Sequence, residues 1–90
     1  MIEFKVIISS VAEKDLKKLS KTDENRAREA INGLAKNPVA GKRLPPTPFW
    51  SIRIGKYRII YDIRGQILEV LVLMVDKRDI VYKRLRKLKY

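Results

Sequence analysis

The sequence predicts an α+β fold in which two N-terminal helices pack on a sheet and a short helix ends the chain. Ninety residues suit one domain with a modest core, so we expect a single domain over residues 1–90. Apolar residues recur at helical spacing between Ala12 and Ala35. Between Trp50 and Ile63 they instead alternate with polar residues, as in half-buried strands. The predicted order is therefore β-α-α-β-β-β-α.

The first part of the chain predicts a strand and two helices. Ile2 to Ile8 is rich in Ile and Val, which favour strands. Ser10 and Glu13 match a capping box, so we expect the first helix to begin at Ser10. Thr22 is the predicted N-cap of the second helix, and Asn37-Pro38 is its predicted end. We expect an antiparallel helical hairpin whose apolar faces comprise Ala12, Leu16 and Leu19, then Ala27, Ala30, Ile31, Leu34 and Ala35.

A Pro-rich connection, Gly41 to Pro48, leads into a predicted β-hairpin. Gly55-Lys56 is typical of a two-residue hairpin loop. With that loop, Arg53 lies directly opposite Arg58 on one face of the hairpin. The side chains expected on the other face, toward the core, are Trp50, Ile52, Ile54, Tyr57, Ile59, Tyr61 and Ile63.

The rest of the chain predicts a central strand and a basic helix. Gln66 to Val75 is apolar on both faces apart from Glu69, as expected of a strand that is covered on both sides. Whether Glu69 neutralises Arg58 depends on the strand register, which the sequence leaves open. Asp79 to Tyr90 is the predicted helix, with an apolar stripe of Val81, Leu85 and Leu88.

The composition indicates a polyanionic partner and restricts the chemistry. Lys and Arg number 21 against 10 Asp and Glu, for a net charge of +11. Such an excess attracts nucleic acid or an acidic protein, although a solvated, thermophile-like surface is also rich in charge. The chain has no Cys and no His, so thiolate chemistry, the commonest general base and the commonest metal ligand are excluded. No secretory signal or membrane-spanning run is visible, and we expect a cytoplasmic protein that uses no cofactor.

Two groups of residues are candidates for an anion site. Like charges directly opposite on a ladder are destabilising, so the Arg53–Arg58 pair is solvated, paired with acids, or built to hold an anion such as phosphate. In the C-terminal helix, Arg78, Tyr82 and Arg86 fall at i, i+4 and i+8, along roughly one face. An ordinary amphipathic helix with a basic polar face has the same pattern.

Two segments carry a family resemblance. The first runs from Trp50 to Tyr61 (WSIRIGKYRIIY), and the second runs from Val75 to Tyr82 (VDKRDIVY). Together with the opening strand, the helix segment from Glu13 to Leu19 and the Asn37-Pro38 break, they resemble the RelE/ParE toxin superfamily, and its RelE branch in particular. The resemblance implies a microbial RNase-like fold with an antiparallel-rich sheet. It also implies a type II toxin that cleaves mRNA in the ribosomal A site and is bound by a cognate antitoxin.

The resemblance further implies a set of site residues. Arg53 and Arg58 match basic strand positions of the family's site. Arg78 matches the arginine that follows the last strand, and Tyr82 matches a tyrosine near the C-terminus. These four are the expected catalytic residues. Ser51 departs from the pattern, because the best-known members carry a lysine there. Lys56, Lys77 and Arg43 are the candidates to take the place of this missing cation, and together with Arg86 they are the expected RNA-binding residues.

The residue types favour one reaction. Arginine does not act as a base in proteins, and no carboxylate cluster indicates a pair of metal ions. We expect the RNA's own 2′-hydroxyl to attack the adjacent phosphate while Arg53, Arg58 and Arg78 stabilise the developing charge. Tyr82 is then the general base or a group that stacks on a nucleobase.

Three other functions fit the sequence as well. The chain resembles ParE-type toxins, which inhibit a topoisomerase (gyrase) by binding and cut nothing. A nucleic-acid-binding module without catalysis is the second alternative, although such modules usually present exposed aromatic rings for stacking. The third is an inactive relative, which the Ser51 departure leaves open.

Overall fold

A computed structural model describes residues 2–88. The strands are β1 (Lys5–Ile8), β2 (Lys42–Arg43), β3 (Trp50–Ile54), β4 (Tyr57–Arg64) and β5 (Glu69–Lys77). The helices are α1 (Ser10–Lys17), α2 (Lys21–Gly33) and α3 (Arg78–Arg86), and one turn of 3-10 helix, Gly65–Ile67, joins β4 to β5. The predicted order of elements is confirmed, except that the short strand β2 was not predicted.

The five strands form one sheet in the order β1-β5-β4-β3-β2. β1 is parallel to β5, and the other neighbouring pairs are antiparallel, so the sheet is antiparallel-rich. β5 lies between two strands and buries Val70, Val72, Met74 and Val75, which confirms the predicted central strand. It begins at Glu69 rather than Gln66, because the 3-10 turn and Leu68, with a φ of 53°, come first.

The β3–β4 hairpin has the predicted register. Gly55 has a φ of 57°, as the two-residue loop requires, and Arg53 lies directly opposite Arg58. The face predicted to be apolar packs against α1 and α2, where Leu16, Ile31, Ile59, Tyr61 and Val72 are among the buried side chains. A second, smaller core lies under α3 on the opposite face and contains Phe49, Ile60, Met74, Val81 and Leu85.

The helix boundaries differ from the predicted ones. Ser9, not Ser10, caps α1, because its hydroxyl accepts a hydrogen bond from Ala12 N at 3.1 Å. Ser20, not Thr22, caps α2 in the same way. The α2 helix ends at Gly33, and tighter turns connect it to Asn37. Because no side-chain signal distinguishes neighbouring Ser and Thr residues, the sequence did not identify the residue that caps.

The predicted capping box is wrong for Glu13 because its carboxylate is bound by Arg28 instead. Arg28 also donates to Glu24, with 2.9 Å between Nε and Oε2, and so ties α1 to α2. The hydrogen bond from Arg28 holds the pKa of Glu13 below its usual value. In α3, Val81 and Leu85 are buried as predicted, but Leu88 lies beyond the helix end and is exposed. The last two residues of that predicted helix, Lys89 and Tyr90, lie outside the described residues.

The connection between α2 and β3 is held by a buried tyrosine. Tyr61 Oη donates to Pro38 O at 2.7 Å and accepts from Gly41 N at 3.1 Å. Burial raises the pKa of the Tyr61 hydroxyl. A Cβ on Gly41 would collide with the carbonyl oxygen of Ser51 and lie 2.8 Å from Tyr61 Oη. Gly41 is therefore required by close approach of the backbone.

Gly41→Ala is expected to lower the free energy of unfolding by about 1–3 kcal/mol, since a backbone atom must move to admit the methyl group. Gly33→Ala is the matched control because a Cβ there meets nothing within 4 Å. Gly33→Ala should raise the free energy of unfolding by at most about 1 kcal/mol, because Ala favours the helix more than Gly does. Urea denaturation measures both. Equal stability of the two variants would contradict the close approach at Gly41.

One helix also protects an edge of the sheet. β1 ends at Ile8, so the second half of β5 has no strand on that side. Asp15 of α1 lies there and accepts the hydrogen bond of Val75 N at 3.0 Å. Asp15 is only 8% exposed, and Arg84 of α3 contacts the same carboxylate oxygen at 2.9 Å.

No helix within residues 2–88 is long and apolar enough to cross a membrane.

Candidate functional site

Arginines from three elements, β3, β4 and α3, meet at the tip of the β3–β4 hairpin. Arg53 and Arg58 face the same side because they are directly opposite in the ladder. Arg78 is the first residue of α3, which packs on that side of the sheet. Together with Lys56 these arginines line a pocket of about 150 Å³, which is completed by Gly55 and Tyr57. We call it the arginine pocket.

The arginines of the arginine pocket form no ion pair with any of the acidic residues that the structure describes. Within residues 2–88, none of its three arginines lies within 4.0 Å of a carboxylate oxygen. Arg53 Nε donates to Gly55 O at 3.0 Å, and an Arg58 guanidinium nitrogen lies 3.4 Å from Ser51 Oγ. Glu69 lies opposite Arg64 rather than Arg58, which answers the question of register. The pocket is therefore an uncompensated cationic site that suits a phosphate group.

Tyr82 lies beside the arginine pocket. The Arg78 guanidinium carbon is 5.7 Å from the centroid of the Tyr82 ring, a cation–π contact one turn along α3. The half-buried Tyr82 ring also lines a second, mostly apolar cleft of about 510 Å³. The other residues of this cleft are Leu44, Pro45, Pro46, Thr47, Leu85 and Arg86. We call it the tyrosine cleft.

The walls of the tyrosine cleft offer few polar groups. Thr47 Oγ1 is used within the loop, since it donates to Leu44 O at 2.6 Å and accepts from Phe49 N at 3.1 Å. The Pro45–Pro46 peptide bond is cis. Arg86 is the charged residue at this cleft, and its Nε donates to Tyr82 O at 3.3 Å. A flat apolar group beside a phosphate would suit this pair of pockets.

Two predicted RNA-binding residues lie elsewhere. Arg43 pairs with Trp50 and lies over its ring at 5.8 Å, on the face of the sheet that packs α1 and α2. Lys77 pairs with Tyr57 on that same face and lines a different pocket. Of the other predicted residues, the arginine pocket contains Arg53, Lys56, Arg58 and Arg78, and the tyrosine cleft contains Tyr82 and Arg86. The contact between Arg78 and Tyr82 connects the two.

A bulge in β5 explains where Lys77 lies. Ile60 pairs with Met74 but Tyr61 pairs with Val72, so one residue of β5 is unpaired. Strict alternation from Val72 would place Lys77 on the side of Arg58, and the bulge reverses this. The same bulge brings Asp76 opposite Arg58.

Lys42 is a cation that the sequence analysis missed. It pairs with Ser51, so its side chain shares the face of Arg53 and Arg58. The two-residue strand β2 is too short to show an alternation of its own, and only its pairing with β3 reveals the face. Among residues 2–88, no group of three or more His, Cys, Asp or Glu side chains is placed to hold a metal ion.

Residues 6–82 match the sequence profile of the family described as ParE toxin of type II toxin–antitoxin system, parDE. Comparison with curated protein sequences yields no significant match. The toxin–antitoxin complex RelBE2 from Mycobacterium tuberculosis contains a chain that is 30% identical, with a TM-score of 0.76 over 86% of this chain and 100% of that one.

Two further solved structures resemble the chain. The archaeal RelE–RelB complex from Pyrococcus horikoshii OT3 gives 25% identity and a TM-score of 0.76 over 86% of this chain and 97% of that one. A mutant of the E. coli toxin RelE in the free state gives 21% identity and a TM-score of 0.78 over 97% and 100%, a likeness of fold. These matches confirm the resemblance seen in the sequence, and the chain belongs to the ParE toxin family of type II toxin–antitoxin systems, within the RelE/ParE superfamily.

Proposed function

We propose that this toxin is an endoribonuclease that cuts mRNA in the ribosomal A site without a metal ion. The observation that supports this most is the juxtaposition of three arginines with a tyrosine at their side. Within the described part of the chain, none of these arginines forms an ion pair. A protein that only binds a partner does not need guanidinium groups gathered around one small pocket. A phosphate group does, because each planar guanidinium can donate two hydrogen bonds to it.

The proposed reaction is an attack by the 2′-hydroxyl of the RNA on the adjacent phosphate. Tyr82 Oη takes the proton of the 2′-hydroxyl as general base, and the 2′-oxygen bonds to phosphorus. The bond from phosphorus to the 5′-oxygen breaks, and the leaving oxygen takes a proton from a water molecule. The products are a 2′,3′-cyclic phosphate and a 5′-hydroxyl. Arg53, Arg58 and Arg78 donate to the phosphate oxygens, on which negative charge increases in the transition state.

The tyrosine cleft is the proposed place for a nucleobase next to the cut. Its apolar walls and the Tyr82 ring provide stacking surface. The contact of Tyr82 with Arg78 places the cleft next to the proposed phosphate site. The ribosome would supply the alignment of mRNA that so small a site does not provide. The net charge of +11 favours docking on ribosomal RNA, with a steep dependence on salt.

A cognate antitoxin is the second proposed partner. The related RelBE2 and RelE–RelB structures are complexes of a toxin with its antitoxin. An acidic antitoxin would be attracted by the same basic surface as RNA. We expect the complex to form in the cytoplasm, where the ribosomes are.

Inhibition of a topoisomerase is the second candidate function. It is favoured by the family match, which is to the ParE toxins. In that case the protein binds its target and cuts nothing, and the arginine pocket serves to recognise an acidic surface.

Primer extension on a defined mRNA in a translating cell-free extract tests the proposal. With the purified protein we expect cuts at in-frame positions, and the same mRNA without ribosomes should remain intact. An mRNA with a 2′-deoxy substitution at the cut position should resist, because the attacking hydroxyl is gone. Intact mRNA in the presence of ribosomes would contradict the nuclease, and a gyrase supercoiling assay would then test the second candidate.

A further inference from the structure

Asp76 is an acidic residue placed directly across the ladder from Arg58. Paired residues on one face of an antiparallel sheet have Cβ atoms roughly 5 Å apart, within easy reach of an arginine side chain. Arg58 lines the arginine pocket, so an ion pair with Asp76 would occupy the guanidinium proposed to bind phosphate. The Asp76 carboxylate nevertheless makes its contacts elsewhere.

Arg84 of α3 determines where the Asp76 carboxylate points. An Arg84 guanidinium nitrogen lies 3.2 Å from Asp76 Oδ2, and Lys77 N donates to Asp76 Oδ1 at 2.9 Å. The same guanidinium nitrogen lies 2.9 Å from Oδ2 of the buried Asp15. Asp15 is fixed in turn by the hydrogen bond from Val75 N. Arg84 is thus anchored on one carboxylate and holds the other.

We infer that Arg84 is a positioning residue that holds Asp76 away from Arg58 and so keeps the arginine pocket open to a phosphate group. The inference rests on the proposed function, in which that pocket binds the RNA backbone. Without Arg84, Asp76 loses its cation, and Arg58 is the cation directly opposite. An ion pair between them would compete with the phosphate for the same guanidinium donors. It would also place a negative charge beside an anion site.

Arg84 is more buried than the basic residues around it in and just after α3. Lys83, Arg86 and Lys87 are exposed, whereas only 28% of the Arg84 side chain is accessible. Its role does not depend on contact with RNA, because its guanidinium is directed at Asp15 and Asp76.

Binding of a short 2′-O-methyl oligoribonucleotide at low salt, followed by fluorescence anisotropy, tests the inference. This probe cannot be cleaved by 2′-hydroxyl attack, so the measurement is independent of catalysis. Arg84→Met is expected to weaken binding roughly fivefold, the order expected when a partly exposed ion pair competes for the site. Asp76→Asn in the same chain should restore the wild-type affinity, because the competing charge is removed.

The double variant separates charge from folding. Arg84→Met leaves the buried Asp15 without its cation, and Asp15 still lacks that cation when Asp76→Asn is added. Rescue therefore has to come from the Asp76 charge. Arg84→Lys, which keeps a cation between the two carboxylates, should bind within about twofold of the wild type.

Two results would overturn the inference. One is an Arg84→Met variant that binds as tightly as the wild type. The other is a double variant that binds as weakly as Arg84→Met alone, because the loss would then be structural. Arg58→Ala is measured in parallel. If it binds the probe as well as the wild type, the arginine pocket is not a phosphate site, and the proposed function fails before the role of Arg84 is reached.

Discussion

Arg58→Ala is expected to slow mRNA cleavage on the ribosome roughly a hundred- to a thousandfold, the loss seen when one donor to transition-state charge is removed. Arg58 lies in the middle of the arginine pocket, opposite Arg53 in the ladder and half-buried beside Ser51. Its guanidinium carries no ion pair within the described chain. Apart from the one hydrogen bond that Nη1 donates to Ser51 Oγ, its donors are available to the phosphate. The rate is measured by primer extension in single-turnover conditions.

Arg64→Ala is the matched control for this variant. Arg64 belongs to the same strand and the same face as Arg58, and its replacement changes the net charge equally. It lies outside the arginine pocket, with its guanidinium 3.6 Å from Asp62. We expect Arg64→Ala to cleave within about threefold of the wild type, the change expected for a weak surface ion pair. If both variants lose activity equally, Arg58 acts only through the overall charge, and its place in the mechanism is wrong.

Tyr82→Phe is expected to lower the cleavage rate roughly a hundred- to ten-thousandfold, the contribution of a positioned general base. The variant keeps the ring that contacts Arg78 and lines the tyrosine cleft, and it removes only the hydroxyl. Affinity for a 2′-O-methyl oligoribonucleotide should stay unchanged because stacking is preserved. Cleavage of a defined mRNA on programmed ribosomes gives the rate for each variant, and fluorescence anisotropy gives its affinity.

Tyr82→Ala separates the two roles considered for this tyrosine. It removes the hydroxyl and the ring, so it should lose affinity as well as rate. If Tyr82→Phe cleaves like the wild type and Tyr82→Ala does not, the tyrosine stacks on a nucleobase and moves no proton. The proton transfer assigned to Tyr82 would then be wrong, whereas the phosphate-binding role of the arginines would stand.

The Ser51 departure has a structural setting that bears on the strength of the site. Ser51 is buried, at 4% exposure, and its hydroxyl lies 3.4 Å from an Arg58 guanidinium nitrogen. Two of the predicted RNA-binding residues, Arg43 and Lys77, lie on the other face of the sheet and do not supply the missing cation. Lys42, opposite Ser51, and Lys56, in the arginine pocket, are on the correct side. Replacing Lys42 and Lys56 by Ala, one at a time, would separate the contributions of these two lysines to the site.

The sequence by itself determined the local parts of this molecule. The hairpin register could be predicted because the two-residue loop Gly55-Lys56 sets the pairing of Arg53 with Arg58. The apolar faces of α1, α2 and β4 could be predicted because the spacing of apolar residues shows which face of each element is buried. The candidate residues on α3 could be chosen because helical spacing brings Arg78 and Tyr82 together within one turn.

Only the tertiary structure decided which cations join the site. The bulge in β5 turns Lys77 away from Arg58 and brings Asp76 to face it, and no local pattern in the sequence marks that bulge. The pairing of β2 with β3 likewise places Lys42 on the face of Arg58 and Arg43 on the opposite face. Arg84 contacts Asp15, which lies 69 residues earlier in the sequence. Because side chains alternate along a strand, a register shift of one residue moves a charged side chain to the opposite face of the sheet. The register depends on strands that are distant in sequence.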